Sequence, residues 1–507
     1  MMISTELTWL IALPLMAAPL IYLVGRLVAR RVGDASAVNP ARWVALVVLL
    51  LDLIPLYLAG QKVMQNANLN WQMGSIRLTL DGIGFLMALV ILGLGLVVTL
   101  FSSRYMQGEV GEEKFYALLT AMIGSMLGLC SANDLFNLWV WFEAMAVTSY
   151  MLVAFYKDEP ASLEAGFKYL VQSATGSILV LLGISLVFAA RGTLDLTVLY
   201  TNTLAPDATI LAAGALFVIG FGVKIALVPM HTWLPDAHSQ APSGISAMLS
   251  GVVIEVGLVA LLRALAPALS QAGGAWTWGV LLLGFAAVNM LLGNLMALRQ
   301  TQVKRMLAYS SISHIGYMLV GLGVALAYNQ PDGAAGAFFH LITHAAMKGL
   351  AFLAVGALLY AIHLARGEHS PLVLDDLNGA ARRYPVAAFC LSLAVLSLGG
   401  LPPLAGFMSK WQIFVAGFET ADPWVMGLVI FAALNSVLSL GYYAPLVNRM
   451  YRYQTGPAAS SGVDIPLTMT VPLLLLAMVV VVLGFWPSLV SGITLPAALN
   501  LLPGLGQ

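Results

Sequence analysis

Apolar runs of about twenty residues recur along the whole chain, separated by short joints rich in proline, glycine and charge. Each run is long enough to cross a hydrocarbon layer of roughly 30 Å as a helix. Fourteen helices are predicted, at about 7–28, 42–61, 81–102, 115–131, 134–155, 164–189, 208–229, 243–264, 275–297, 304–327, 335–362, 386–417, 425–448 and 467–490. Run length carries this assignment, because periodicity is uninformative where a helix is apolar on most sides.

The basic residues supply a second, independent count. With the N-terminus placed outside and the segments alternating, sixteen of the 23 Lys and Arg fall in inside loops. Four (Lys62, Arg77, Arg191 and Arg263) fall outside, and Lys224, Lys348 and Lys410 fall within the membrane. This is the bias that orients membrane proteins, and a miscounted segment would mix the two sets. The expectation is an all-α polytopic membrane protein with fourteen spans and both termini on the non-cytoplasmic face.

Two predicted helices are interrupted. The run at 208–229 meets Pro229 and Pro235, and the run at 386–417 is broken at Gly399–Pro403 within SLGGLPPLAGFMSKWQIF. They lie five segments apart and so point in opposite directions. Broken helices in corresponding places indicate inverted repeats around an ion site. The expected organisation is one membrane domain (1–507): 1–102, repeat one (115–264), repeat two (275–448) and a last helix (467–490).

Composition agrees with the pattern: 60% of the residues are apolar and 9% charged, against about 25% charged in soluble domains. The first run lacks a basic leader and a cleavage site, so it reads as a retained helix. There are two cysteines, Cys130 and Cys390, and no CxxC or haem motif. No iron–sulfur cluster, and no cofactor or metal, is expected in this chain. Nothing suggests nucleic-acid binding.

What remains is a set of ionisable groups inside apolar runs, where they are costly and by default mark ion paths. Glu143 stands in NDLFNLWVWFEAM and Lys224 before the first break, and each is the other's expected partner. When the pair opens, the desolvated lysine can release its proton. A static ion pair is the plainer alternative. Glu255, in AMLSGVVIEVGLVALLRA, has no partner close in sequence, leaving burial in a neutral form or a proton relay. His314 precedes His340, His344 and Lys348, which are spaced four apart and share one helical stripe. Histidine suits proton shuttling near neutral pH, while a hydroxyl-bonded core histidine is the alternative at each position. A metal on His340 and His344 lacks further ligands. Lys410 follows the second break, where unwound backbone needs a wet or protein-lined cavity rather than a snorkelling lysine. His231, Asp236 and His238 form a candidate proton entrance, or cap helix ends, with Asp236 bonded to backbone amides. His363 and His369 read as solvated. Together these groups form an expected proton wire across both repeats.

The motifs KIALVPMHTWLPDAHSQAPSGISAMLSGVVIEVG (224–257), NDLFNLWVWFEAM (133–145), QTQVKRMLAYSSISHIGYMLVGLG (300–323), HLITHAAMKGLAFLAVGALL (340–359) and GLPPLAGFMSKW (400–411) resemble the antiporter-like subunits of respiratory complex I, membrane-bound hydrogenases and Mrp antiporters. The resemblance spans the third to thirteenth predicted helices. It implies fourteen helices with two inverted five-helix repeats, and proton translocation, with Na⁺ as a further cargo of some members. It places the family's site residues on Glu143, Lys224, His314, His340 and Lys410. Most members carry a lysine where this chain has Glu255, and Lys410 stands where the M type of subunit has glutamate. No long lateral helix of the subunit L kind follows the last span. The partners implied are other membrane subunits of a large complex, antiporter-like ones among them, together with lipid. Three readings follow: a non-redox proton-pumping subunit of a complex I-like NADH-quinone oxidoreductase or relative, a subunit of an Mrp-type Na⁺/H⁺ antiporter, or a structural subunit with an inactive wire.

Overall fold

The structure, a computed structural model, describes residues 4–32, 39–65, 67–74, 76–201, 206–452 and 454–501. It opens with α1 (Thr5–Val32) and α2 (Ala41–Val63). Next comes a hairpin of β1 (Leu69–Met73) and β2 (Ile76–Leu80), antiparallel with Leu69 opposite Leu80. This short hairpin is an addition to an otherwise all-helical fold. Then α3 (Gly82–Tyr105), α4 (Glu112–Ser131), α5 (Leu135–Val153) and α6 (Pro160–Arg191) follow, and a short α7 (Leu196–Thr201). The first broken segment comprises α8 (Ala208–Lys224) and α9 (Trp233–Gln240). After it α10 (Ser243–Met248), a π-helical turn (Leu249–Val253) and α11 (Ile254–Ala264) make one continuous rod, ended by α12 (Ala266–Leu269). The long helices α13 (Gly274–Ala297), α14 (Val303–Tyr328) and α15 (Pro331–Ile362) lead to the short α16 (Ala380–Arg383). The second broken segment is α17 (Pro385–Gly399) and α18 (Ala405–Glu419). The described chain closes with α19 (Pro423–Arg452), α20 (Pro457–Ser460), α21 (Leu467–Phe485) and α22 (Ser491–Leu499).

Among the described residues, twelve helices are long and apolar enough to cross a membrane; α8 and α17 are apolar but shorter. Those two are the leading halves of the interrupted segments. The rod 243–264 is wholly buried and α14 and α15 nearly so, while α1, α2 and α6 bury little more than a third of their apolar windows. The peripheral helices therefore expose large apolar side chains, such as Trp43, Leu50, Ile54 and Tyr57 on α2. A patch of this extent requires lipid or protein cover.

Short polar side chains fix where the helices begin. The Asp81 carboxylate accepts from the Gly84 amide at the start of α3, and the Asp134 carboxylate accepts from the Asn137 amide at the start of α5. Both satisfy amides that a helix start leaves open. Both described ends of the chain meet at one end of the bundle: the Ser4 amide donates to Asn70 O, and the Gly82 amide donates to the side chain of Asn500.

The breaks are held by side chains. Helix α8 stops at Lys224, five residues short of the predicted break at Pro229. Ala226 turns the chain with φ +54, a conformation uncommon for a residue with a Cβ. The freed groups find partners: Asn289 Oδ1 accepts from the Val228 amide at 2.9 Å, and Trp233 Nε1 donates to Val223 O at 2.6 Å. At the second break Gly400 has φ +82, which favours glycine. Ser397 Oγ accepts from the Gly406 amide at 3.1 Å, and Lys410 Nζ donates to Leu398 O at 2.7 Å. Such capping is what makes unwound backbone tolerable at membrane depth.

Candidate functional site

A π-helical turn inserts one extra residue into the central rod directly before Glu255, the kind of irregularity that gathers at functional positions. Glu255 is fully buried, and its Oε1 lies 2.7 Å from His344 Nδ1 on α15. The partner that the sequence did not supply nearby is thus 89 positions away. His340, His344 and Lys348 share one buried stripe of α15, as their spacing predicts. On α14, His314 Nδ1 lies 3.0 Å from His340 Nε2, with the two rings stacked at 5.2 Å and 6°. The ring centroid of His314 is also 5.1 Å from that of His344. His340 Nδ1 then reaches Ser409 Oγ at 2.9 Å, one residue before Lys410. Both nitrogens of His340 are engaged, so passing a proton along this ring exchanges its tautomer. The structure therefore brings Glu255, His344, His314 and His340 into one run of contacts, ending at Ser409.

The lysines sit beside this run with other partners. Lys224 Nζ donates to Tyr169 OH at 2.5 Å and to Ser149 Oγ at 3.1 Å, and lies 4.8 Å from the centre of the Tyr169 ring. Trp233 stacks on that ring at 3.9 Å and 4°. Among the described residues no hydrogen bond or ion pair joins Glu143 to Lys224, although the Glu143 carboxylate lies within electrostatic reach of the ammonium. Glu143 and Ser149 are both on α5, but six residues of helix put them about 120° apart around its axis, and it is Ser149 that hydrogen-bonds Lys224. The Glu143 Oε1 atom is buried with no hydrogen-bond partner. The Lys224 stem packs on α11 at Gly257, where an added Cβ would lie 3.2 Å from Lys224 Cγ. Gly257 is two residues past Glu255 and so on nearly the opposite face; no described hydrogen bond joins Lys224 to Glu255. Lys348 donates to Leu307 O at 2.8 Å and to Ser310 Oγ. Lys410 donates to Leu398 O and, at 2.8 Å, to Ser436 Oγ, with its ammonium 4.4 Å from the Tyr317 ring centre. It is buried rather than snorkelling.

The candidate entrance residues do not assemble. Asp236 is paired with Arg305 at 2.7 Å and Lys168 at 3.1 Å, so it caps no helix. His238 is fully buried and stacks on Phe352 at 4.7 Å, with neither ring nitrogen bonded. His231 is half-buried near the Tyr309 ring. His363 is not simply solvated: Glu368 and Asp376 each approach it at 3.4 Å. His369 is exposed and packs its ring on Tyr156 at 5.0 Å.

Sequence reasoning passed over several buried ionisable groups, among them Lys304, Asp52 and Arg263. Lys304, counted among inside-loop charges, is buried and donates to Ala241 O, within electrostatic reach of His238. Asp52 is fully buried in α2 with neither carboxyl oxygen bonded; its signal was a lone acid in ALVVLLLDLIPLYLAG. Arg263, counted with the outside loops, is buried and paired with Asp81 at 2.8 Å.

The site lies within a recognised family. Residues 132–436 match the model described as NADH:quinone oxidoreductase/Mrp antiporter, TM, and residues 70–116 match that of the NADH-ubiquinone oxidoreductase (complex I) chain 5 N-terminus. The chain is an integral membrane protein and belongs to the NADH:quinone oxidoreductase/Mrp antiporter family. It is 35% identical over 448 residues to the F(420)H(2) dehydrogenase subunit N of Methanosarcina mazei, covering 88% of this chain and 89% of that one. It is 33% identical over 439 residues to the NADH-quinone oxidoreductase subunit N of Desulfitobacterium hafniense, covering 82% and 84%. A chain in the structure of an archaeal membrane-bound sulfane sulfur reductase superposes with TM-score 0.85 at 27% identity over 98% of both chains. A chain of the Mrp complex from Dietzia sp. shares the fold, with TM-score 0.84 at 23% identity over 98% of this chain and 97% of that one.

Proposed function

We propose that this chain is a proton-translocating, non-redox subunit of a complex I-like membrane oxidoreductase. The observation that carries the reading is the buried run Glu255–His344–His314–His340–Ser409. Burying one such group without a role is costly, and this set of carboxylate, imidazoles and hydroxyl is a medium for proton hopping. Three of its four steps are hydrogen-bonded, and at the His344–His314 step, where His344 Nε2 is unbonded, the rings are in contact. Lys224 and Lys410 stand at its two ends. Water or side-chain motion completes the route at Gly257 and at Tyr317. Glu143, at the edge of the chain, receives the signal or proton from a neighbouring subunit, and Lys348, Lys304 and His238 lead inward from the face opposite the N-terminus. His231 and Asp236 stand at the mouth of that path.

In this reading the two broken segments each complete a crossing, which makes fourteen. Residues 115–264 and 275–448 are inverted repeats, flanked by 1–102 and 467–490. Both breaks fall beside a buried lysine, which supports the pairing. The N-terminal face is the non-cytoplasmic face of a prokaryotic cytoplasmic membrane, in line with the bias of Lys and Arg towards the other side. In this reading electrons travel on other chains; the sequence has two cysteines and no CxxC or haem motif. Its neighbours are other membrane subunits, antiporter-like ones included, as in the complexes that contain its structural relatives.

Affinity purification of the tagged chain from its own membranes tests this assignment. The expected result is co-purification of subunits bearing flavin or iron–sulfur centres. Recovery with small hydrophobic Mrp-type partners and no redox subunit would overturn it in favour of a cation/proton antiporter.

A further inference from the structure

A cavity of about 420 Å³ opens at the end of the bundle that carries the N-terminus. Asn70, Thr79, Asp81, Asn133 and Arg263 bring polar groups to its otherwise largely apolar walls. It has room for several waters. Its apolar floor includes Val259, on the same helix as Glu255. Val259 is four residues from Glu255, one turn on the same face and about 6 Å of rise away. Arg263 follows four residues later on that stripe, at the cavity wall. One side-chain nitrogen there, Arg263 Nε, is buried and has no protein partner, and at the other end Glu255 Oε2 is likewise unbonded. Two residues with unsatisfied polar atoms thus lie along a single helical stripe, with one apolar turn between them. Buried groups left unpaired in this way are normally met by water.

We propose that this cavity is the proton outlet of the chain, and that Val259 is the dry plug separating Glu255 from its water. The inference rests on the proton-translocating reading above. In the step it assigns, the carboxyl O–H of Glu255 breaks and its proton passes to a water that enters past Val259. The carboxylate then takes a proton from the imidazolium of His344. Arg263, its charge balanced by Asp81, holds the outlet water by donating from Nε and does not itself lose a proton. The proton then leaves the wire in the first repeat, at Glu255, with Lys410 at the wire's other end.

Val259→Cys in the full complex, in sealed vesicles of each orientation, tests this. The probe is a membrane-impermeant cationic methanethiosulfonate. The parent complex, in which this chain's two cysteines are buried, sets the baseline. Labelling is expected from the N-terminal face and not from the other. The labelled complex is expected to lose this subunit's share of protons per electron pair, and a thiol reductant to restore it. No labelling from that face, or labelling with the full ratio retained, would overturn the outlet. If Val259→Cys does not assemble, Val259→Thr serves: a hydroxyl in the plug should speed decay of an imposed proton gradient through the resting complex, and unchanged decay would contradict the proposal. Lys224→Ala separates the two readings. If it stops pumping while labelled Val259→Cys pumps fully, the outlet lies elsewhere and the route stands; if neither affects pumping, the route itself fails.

Discussion

Replacing Lys224 with alanine is expected to leave the complex assembled but without this subunit's share of proton translocation. The argument separates stability from function. Truncating a long buried side chain costs roughly 2–5 kcal/mol in lost contacts and cavity. Against that, removing an ammonium from a water-poor interior relieves a desolvation penalty of several kcal/mol. The partners left behind are not orphaned, because Ser149 Oγ and Tyr169 OH already lie 2.9 Å apart and bond each other. The fold therefore survives. What disappears is the one cation between α5 and α11, held against Tyr169 and Phe142. Glu143, within electrostatic reach, cannot take its place, because a carboxylate supplies no ammonium. Proton release per electron pair in sealed vesicles, with the subunit complement checked on a gel, measures both halves of this expectation. An unchanged ratio would reduce the chain to a structural filler.

Gly406→Ala is expected to act through the fold. A Cβ at this position would lie 1.9 Å from Ser397 O and 2.8 Å from Ser397 C, both backbone atoms. A rotamer change cannot relieve such an overlap; α17 and α18 must move apart. Overpacking a rigid core typically costs about 1–3 kcal/mol, more where backbone must shift. Here the shift also pulls Gly406 N from Ser397 Oγ and Lys410 Nζ from Leu398 O. The chain should be depleted from the membrane, with a lowered melting temperature for any complex recovered. Gly427→Ala in α19 is the control, because its Cβ would meet nothing within 4 Å. Equal abundance of the two variants would contradict the account of the second break.

The sequence made the helices legible because a membrane leaves few alternatives: a run of sufficient length with its backbone bonded internally must be helical. It also made most of the ionisable positions legible, since each stands out in an apolar run. Their pairing was another matter. Glu143 and Lys224 were matched because their charges are opposite, yet the amine chose two hydroxyls, and Ser149 and Tyr169 look ordinary in sequence. Glu255 gained its partner from α15, through a packing of distant helices that no local spacing reveals. The π-helical turn that precedes it has no sequence signature either. Lys304 was misplaced, and Asp236 was left between two readings, for the converse reason. Both lie near helix ends, where a charge can be buried against a carbonyl or locked in ion pairs as readily as solvated. The hairpin at 69–80 was overlooked because its strands are short and lie beside apolar runs that dominate the pattern.

The central claim is that Glu255, where the resemblance expects lysine, changes its proton occupancy during turnover together with His344. Infrared difference spectroscopy of the turning-over complex against the resting one reads this directly, through the carbonyl stretch of a protonated carboxyl group. The expected result is a carboxyl band that changes on turnover, is absent from Glu255→Gln and shifts in His344→Gln. Identical difference spectra for the parent and Glu255→Gln complexes would contradict the claim.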